Sequence, residues 1–573
     1  MPEIPLTNPS QFRILYREFL FRLMDVEVLS QSAQGDANEL LGQFGSLLIF
    51  TSIIFSGVAL GIGGGHGRFD PDQLVAQKWG AFHVMVSTTM LVVGLFAVLG
   101  WDATFLDRRD VMVLAPLPVR GRTMFLAKIS AVAAGLAVTV GALNWASGTL
   151  TPLAMVSGLG FFGGIRLVVA YWATLFAGGA FVYCALLGVQ GLIAQLPRRW
   201  FLRVSSWLQI GSFALLLGVY FLEPSMTTPK TLAAPENHWA LAWFPPHWFL
   251  GLFSESSGSF PAQHRLMAPL ANRAVIAFSI TIAIAAAAFL ISYFRTLRKI
   301  VEEPDILPTA RGATWLPPFG NARDSALVQF AIRSLLRSRQ HRMILAFYLG
   351  FGFAMVALYI KGLIQGPQYL AAADVVSKVN PPMLVSSVVM LVAWLLGTRV
   401  VFTIPLDLRA NWIFRVTPLT GGAGTLPAAR RSLLALAVAP VWAGCAAVFF
   451  WTWPWRPVAA HLATLALFGS ILADVLLYGF RKIPFTCSYL PGKSKVHLAF
   501  WFCSLFVLFL IELGVKQELG ALRSTAGTIT AFLILAMAAL VTRRITNGRA
   551  KEDSEVLWEE SRSDELVVLG LSR

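Results

Sequence analysis

Along the chain, stretches of about 20 residues almost free of charge alternate with short polar segments. Twelve such runs occur, at about 43–63, 80–100, 126–147, 166–194, 205–222, 272–294, 343–361, 383–403, 432–453, 458–480, 496–514 and 525–542. A helix rising about 1.5 Å per residue needs about 20 residues to cross the roughly 30 Å of hydrocarbon in a bilayer. The pattern therefore predicts an all-α integral membrane protein with about 12 transmembrane helices. Two further segments carry helical periodicity without unbroken apolarity. In "QFRILYREFLFRL", Phe12, Leu15, Tyr16, Phe19, Leu20 and Leu23 recur at helical spacing, with Arg13, Arg17, Glu18 and Arg22 on other faces. That is the pattern of a helix lying flat in the membrane interface. "ALVQFAIRSLLRSRQHR", just before the seventh run, reads as a second basic amphipathic helix. It follows "EEPDILPTARGATWLPPFG", too rich in Pro and Gly to continue a helix.

These elements divide the chain into an interfacial-helix region over 1–40, a first six-span half over 41–295, a basic linker with its amphipathic helix over 296–342, a second six-span half over 343–543 and a tail over 544–573. The tail begins basic, turns acidic and is expected to be disordered. Each half starts and ends on the same side of the membrane, so the halves are expected to be two parallel six-helix repeats, each entered through an interfacial helix.

Charge fixes an orientation for this arrangement. With the N-terminus inside, 35 of the 46 Lys and Arg fall on the inner side and 11 on the outer, and the net charge of +16 belongs to one membrane face. The positive-inside bias then predicts cytoplasmic N- and C-termini. The basic residues line span ends instead of forming one stripe, which favours lipid headgroups over a nucleic acid as the polyanion they meet. Composition agrees, since 56% of residues are hydrophobic and only 13% charged, beyond what a water-soluble core could hide.

Catalytic chemistry is not visible. No HExxH, paired midplane carboxylates or Cys-x-x-Cys occurs, so no metal ligand, catalytic residue or cofactor is expected in this chain. "YLPGKSK" lacks the glycine a phosphate-binding loop needs five residues before Gly492, where Cys487 stands, and reads as a basic turn. Ionisable residues in the runs are few. His83 and His461 fall near outer ends, where solvated histidines are expected, and Asp474 and Glu512 fall near surfaces.

One segment breaks the apolar pattern in a way the return of a chain does not require. "LDRRDVMVLAPLPV" at 106–119 packs charges, an apolar run and two prolines between the second and third runs. Three hundred residues later "LDLRANWIFRVTPL" at 406–419 repeats Leu, Asp, Arg and Pro in the same register, between the eighth and ninth runs. Arginines bound to lipid phosphates would explain the charges but not the prolines or the repetition. The first is expected to form about two helical turns along the interface, with Pro116 and Pro118 preventing continuation into the next span, and Pro418 stands in the second at the register of Pro118.

The longer run "LDRRDVMVLAPLPVRGRTMFLAK", residues 106–128, resembles the loop before the third span in membrane subunits of type-two ATP-binding-cassette exporters. There an acidic and basic cluster leads into Leu-Pro-Val and on to Phe and Ala-Lys. "NHWALAWFPPHWFLGLF" at 237–253 resembles the element before that family's sixth span, with Trp243, Pro245, Pro246 and Trp248 as an outer re-entrant or interfacial element. The second half has only a short loop at about 515–524 before its last span and lacks the Phe-Leu-Ala-Lys ending.

The resemblance implies a permease that exports a substrate while a separate ATP-binding-cassette ATPase, in two copies, supplies energy. ATP and Mg would sit on that partner and none in this chain. Arg108, Arg109, Asp110, Asp407 and Arg409 would make its polar contacts, and Val113, Leu114, Ile413 and Phe414 its apolar ones. The alternative is a 12-span secondary transporter of major-facilitator type. The scarcity of ionisable groups in the runs argues against it, because ion coupling usually needs them near midplane.

Overall fold

The computed structural model describes residues 9–24, 45–46, 48–53, 56–57, 71–104, 114, 117, 119–155, 160–224, 226, 228–258, 261–302, 317–365, 379–406, 411–416, 422–486, 496–552 and 556. Every regular element among them is helical. By its contacts the chain divides into two compact units, Met1–Leu307 with Gly570–Arg573, and Pro308–Leu569.

Nine helices among the described residues are long and apolar enough to cross a membrane: Val75–Leu99, Gly121–Leu143, Gly160–Ile193, His264–Ile291, Gln340–Ile360, Pro381–Val401, Thr425–Thr452, Trp455–Leu476 and Thr525–Glu552. The run at 205–222 forms a shorter apolar helix, Trp207–Leu222. The run at 496–514 lies in the helix Val496–Leu522. Most of the run at 43–63 lies outside the described residues. In the last of the nine helices Leu533, Ile534 and Met537 are 61%, 63% and 62% exposed. A continuous apolar face of that kind is stable against hydrocarbon and not against water. This is the architecture of an all-α integral membrane protein.

In the first unit, α1 (Pro9–Met24) leads to α2 (Pro71–Leu99), α3 (Gly121–Leu143), α4 (Trp145–Met155), α5 (Gly160–Ile193) and α6 (Arg198–Leu222). Then come α7 (His238–Trp243), α8 (Pro245–Ser257) and α9 (His264–Glu302). The apolar face predicted for α1 is real: Leu15, Phe19, Leu20 and Leu23 are buried. That face packs on α3. Gly135 clears the space, since a Cβ there would stand 2.9 Å from Leu23 Cδ2. Lys128, the lysine that ends the 106–128 motif, lies under α1 with its ammonium 4.6 Å from the Phe19 ring centre, a cation–π contact.

The fourth run, which contains "FAGGAF", is one uninterrupted 34-residue helix, α5. Its small residues admit neighbours closely, as in many membrane bundles. A Cβ on Gly191 would stand 2.3 Å from Ala288 Cβ of α9.

In the second unit, α10 (Ala322–Arg337) and α11 (Arg339–Gln365) precede α12 (Pro381–Val401), α13 (Trp412–Val416) and α14 (Gly422–Leu433). A π-helical turn, Leu434–Val438, joins α14 to α15 (Ala439–Thr452). Pro440 cannot donate the next backbone hydrogen bond, and the wider turn takes up that gap. The unit closes with α16 (Trp455–Leu476), α17 (Val496–Leu522) and α18 (Thr525–Glu552). Here too the amphipathic helix packs on the helix after the charged loop, α10 on α14. Leu327, Val328 and Ile332 meet Ala428 there, and Arg431 donates to Asp324 at 2.7 Å.

Candidate functional site

Of the first charged segment, only Leu114, Leu117 and Val119 are described; Arg108, Arg109, Asp110, Val113 and Pro118 lie outside the described residues. Leu114 is buried within the chain. Successive turns, Leu117 N–H to Leu114 O at 3.2 Å and Val119 N–H to Leu117 O at 2.7 Å, lead into α3. Of the second segment, Asp407, Arg409 and Pro418 lie outside the described residues.

What is described of this second segment is firmly anchored. Leu406 N–H donates to Phe485 O at 3.0 Å, and Phe485 N–H to Phe402 O at 3.0 Å. The Asn411 side-chain amide donates to Thr486 O. Phe485 itself holds a left-handed backbone (φ 67), a conformation uncommon for a bulky residue, fixed here by burial and by these bonds. His341 ties the same loop to α11, its Nε2 2.9 Å from Ile404 O.

Phe414 turns inward, edge-on to Phe330 of α10 with ring centres 5.2 Å apart. Ile413 is 53% exposed, flanked by Trp412 at 63% and Val416 at 76%. The apolar surface that α13 offers outward is therefore chiefly Trp412, Ile413 and Val416, whereas Leu114 is buried and Phe414 is half-buried against α10.

The aromatic stretch before the sixth run folds as two short helices. Phe244 is extended between α7 and α8, and Pro245, with its fixed φ and no N–H to satisfy, opens α8. Pro246, Phe249, Leu250 and Phe253 are buried against α2, α5 and α9. Phe253 stacks on Phe82 at 4.0 Å between ring centres. Gly258, left-handed at φ 66, ends α8. Arg166 of α5 caps it, donating to Ser256 O at 2.7 Å and Glu255 O at 3.3 Å. The tryptophans divide their work: Trp243 is 78% exposed, while Trp248 donates from Nε1 to Leu241 O at 2.7 Å.

The structure corrects the reading of the histidines. Neither His83 nor His461 is solvated; they are 6% and 0% exposed. His83 Nε2 lies 3.1 Å from Glu223 Oε1, and His247 Nδ1 lies 3.2 Å from the same oxygen. Ser87 donates to Glu223 Oε2 at 3.0 Å. Burial would raise the Glu223 carboxyl, but the two imidazoles outweigh it and hold its pKa down at about 2. Burial pushes His247 below the ordinary histidine range.

In the second unit His461 bridges Ser387 (2.8 Å from Nε2) and Glu518 (2.8 Å from Nδ1). Asp474 is not at a surface either: it is fully buried and ion-paired with Arg430. Glu512 is half-exposed, 3.3 Å from Lys516.

Ser87 and Ser387 occupy the same register as the two charged segments. Around them Met90, Leu91, Val92 and Leu95 match Met390, Leu391, Val392 and Leu395. This identity was the available signal for the polar clusters. Glu223 and His247 themselves belong to no motif. No protein-family model matches the chain, and comparison with curated proteins and with solved structures returns no significant match.

Proposed function

We propose that this chain is the permease of an ATP-driven exporter, formed by two parallel six-span halves in a bacterial inner membrane with both termini in the cytoplasm. A separate ATP-binding-cassette ATPase, in two copies, docks on the segments at 105–118 and 405–418. One observation carries the reading. Each unit presents the same local construction: an amphipathic helix packed on the helix that follows a charged, proline-bearing loop. That construction supports a stiff cytoplasmic platform at the same address twice, where one motor subunit could push on each half. The exposed Trp412, Ile413 and Val416 supply the apolar part of such a contact. Arg108, Arg109, Asp110, Asp407 and Arg409 supply its polar rim.

The test is charge reversal. Arg109→Glu with Arg409→Glu abolishes co-purification of the ATPase from native membranes while the chain stays inserted at wild-type level. Retained association refutes the docking assignment.

A second reading, a 12-span secondary transporter of major-facilitator type, has one observation on its side. Buried ionisable groups are more numerous than the sequence suggested, with Glu223, Asp474 and Glu518 each joined to a buried basic partner. Transport by the purified chain in vesicles driven by an ion gradient, without nucleotide, would select this reading.

A further inference from the structure

In the first unit three ligand-type side chains converge from separate stretches: His83 of α2, Glu223 just beyond α6 and His247 of α8. All three are buried. Both imidazoles approach one oxygen, Glu223 Oε1, at 3.1 and 3.2 Å. One nitrogen from each histidine and one carboxylate oxygen lie within 4.8 Å of one another. Donor atoms around a tetrahedral zinc, with bonds of about 2.1 Å, stand about 3.4 Å apart. The two imidazole–carboxylate distances are already near that spacing, and side-chain rotations that shift the imidazole nitrogens by roughly an ångström would bring the whole group to it.

One feature calls for an occupant. Neither ring nitrogen of His247 makes a hydrogen bond, although the residue is 0% exposed. Its Nδ1 is near Glu223 but badly directed for donation. Buried imidazole nitrogens are rarely left so. Glu223 supplies the carboxylate of the group and is 4% exposed. The second oxygen of that carboxylate is already held by Ser87, so Oε1 is the one presented to a metal, as outer partners commonly arrange.

We propose that His83, Glu223 and His247 form a binding site for a divalent transition-metal ion of the zinc class, with the fourth position open to water. Two imidazoles and one carboxylate are a ligand set such ions favour, and three protein ligands leave one position free. The bound ion clamps α8 to α2 and to the end of α6. The second unit provides an internal control. There the corresponding serine meets one histidine, which in turn meets one carboxylate, so both ring nitrogens of His461 are occupied, by Ser387 and Glu518. Among the described residues such a three-ligand group occurs in the first unit only, and it stands whether or not the chain is an ATP-driven permease.

The experiment uses the untagged full-length chain in detergent, stripped with a chelator, incubated with Zn2+ and desalted. Mass spectrometry should find about one zinc per chain, and Co2+ in its place should give the intense visible bands of a four-coordinate site. Glu223→Gln and His247→Gln lose the metal, and His461→Gln keeps it. Ser87→Ala keeps the site but weakens it about 10- to 100-fold. Wild-type chain that retains no zinc overturns the proposal. So does zinc retained equally by the Glu223 and His247 variants. Should those variants fail to fold, the wild-type cobalt spectrum decides, and weak bands typical of hexa-aquo or octahedral cobalt overturn it.

Discussion

Asp474 and Arg430 show how a single residue's role changes once its neighbours are known. Arg430 Nε donates to Asp474 Oδ1 and Arg430 Nη2 to Asn547 Oδ1 at 3.0 Å. Thr546 adds a bond to the Asp474 carbonyl at 3.1 Å. The ion pair therefore joins α14, α16 and α18 in a place where neither charge meets water. Removing one partner leaves the other charged and desolvated, whereas removing both leaves a site that apolar side chains can fill. Arg430→Met alone should destabilise the chain by about 3–5 kcal/mol. Arg430→Met with Asp474→Leu should lose clearly less, as read by chemical unfolding in detergent. A double variant as unstable as the single one would mean that the pair is held for its hydrogen bonds to α18 and not for charge compensation.

At the scale of elements, α8 is a piece whose position depends on close fit. Gly251 is the reason it can lie against α9: a Cβ there would stand 2.6 Å from Leu270 Cβ and 2.8 Å from Ala271 N. Backbone atoms cannot yield as a flexible side chain can, so Gly251→Val must move the helix. In the otherwise native chain a cysteine at the buried Ser254 should resist a water-soluble thiol reagent. With Gly251→Val added it should react, and continued protection would show that α8 is seated by other contacts.

The same element marks the limit of what the sequence discloses. Its start at Pro245 and its aromatic content are legible, because proline geometry and ring placement are local properties. Its burial among α2, α5 and α9 is not, because it depends on residues brought from other helices, such as Leu270 and Ala271 against Gly251. The long apolar helices were legible for the reason α8 was not, since a run of about 20 apolar residues carries its environment in its own composition. The polar clusters were hidden by separation: His83 and Glu223 lie 140 residues apart, and Arg430 and Asp474 lie 44 apart. No spacing rule reaches across such distances. Leu114 and Phe414 read as available apolar contacts because exposure, unlike hydrophobicity, is not written in the residue type.

For the whole molecule the governing quantity is the parity of membrane crossings, because one miscounted helix inverts everything after it. The asymmetry of 35 basic residues against 11 depends on that parity, and so does the placement of both charged segments in one compartment. Three exposed positions test it without disturbing any buried contact: Ser256 at the end of α8, Asn321 before α10 and Thr452 at the end of α15. Only α9 separates the first two positions among the spanning helices, so a cysteine at Ser256 and one at Asn321 must label from opposite sides. The positive-inside bias puts Asn321, near Arg323, Arg333 and Arg337, on the cytoplasmic side. Between Asn321 and Thr452 lie α11, α12 and the continuous helix formed by α14 and α15, three crossings, which returns Thr452 to the outside. In intact cells an impermeant maleimide should therefore label cysteines at 256 and 452, and label one at 321 only after permeabilisation. Labelling of 321 from outside would invert the orientation and remove the cytoplasmic platform. Labelling of 256 and 321 from the same side would mean that α9, despite its length and apolarity, does not cross, because a single crossing helix cannot leave its two ends in one compartment.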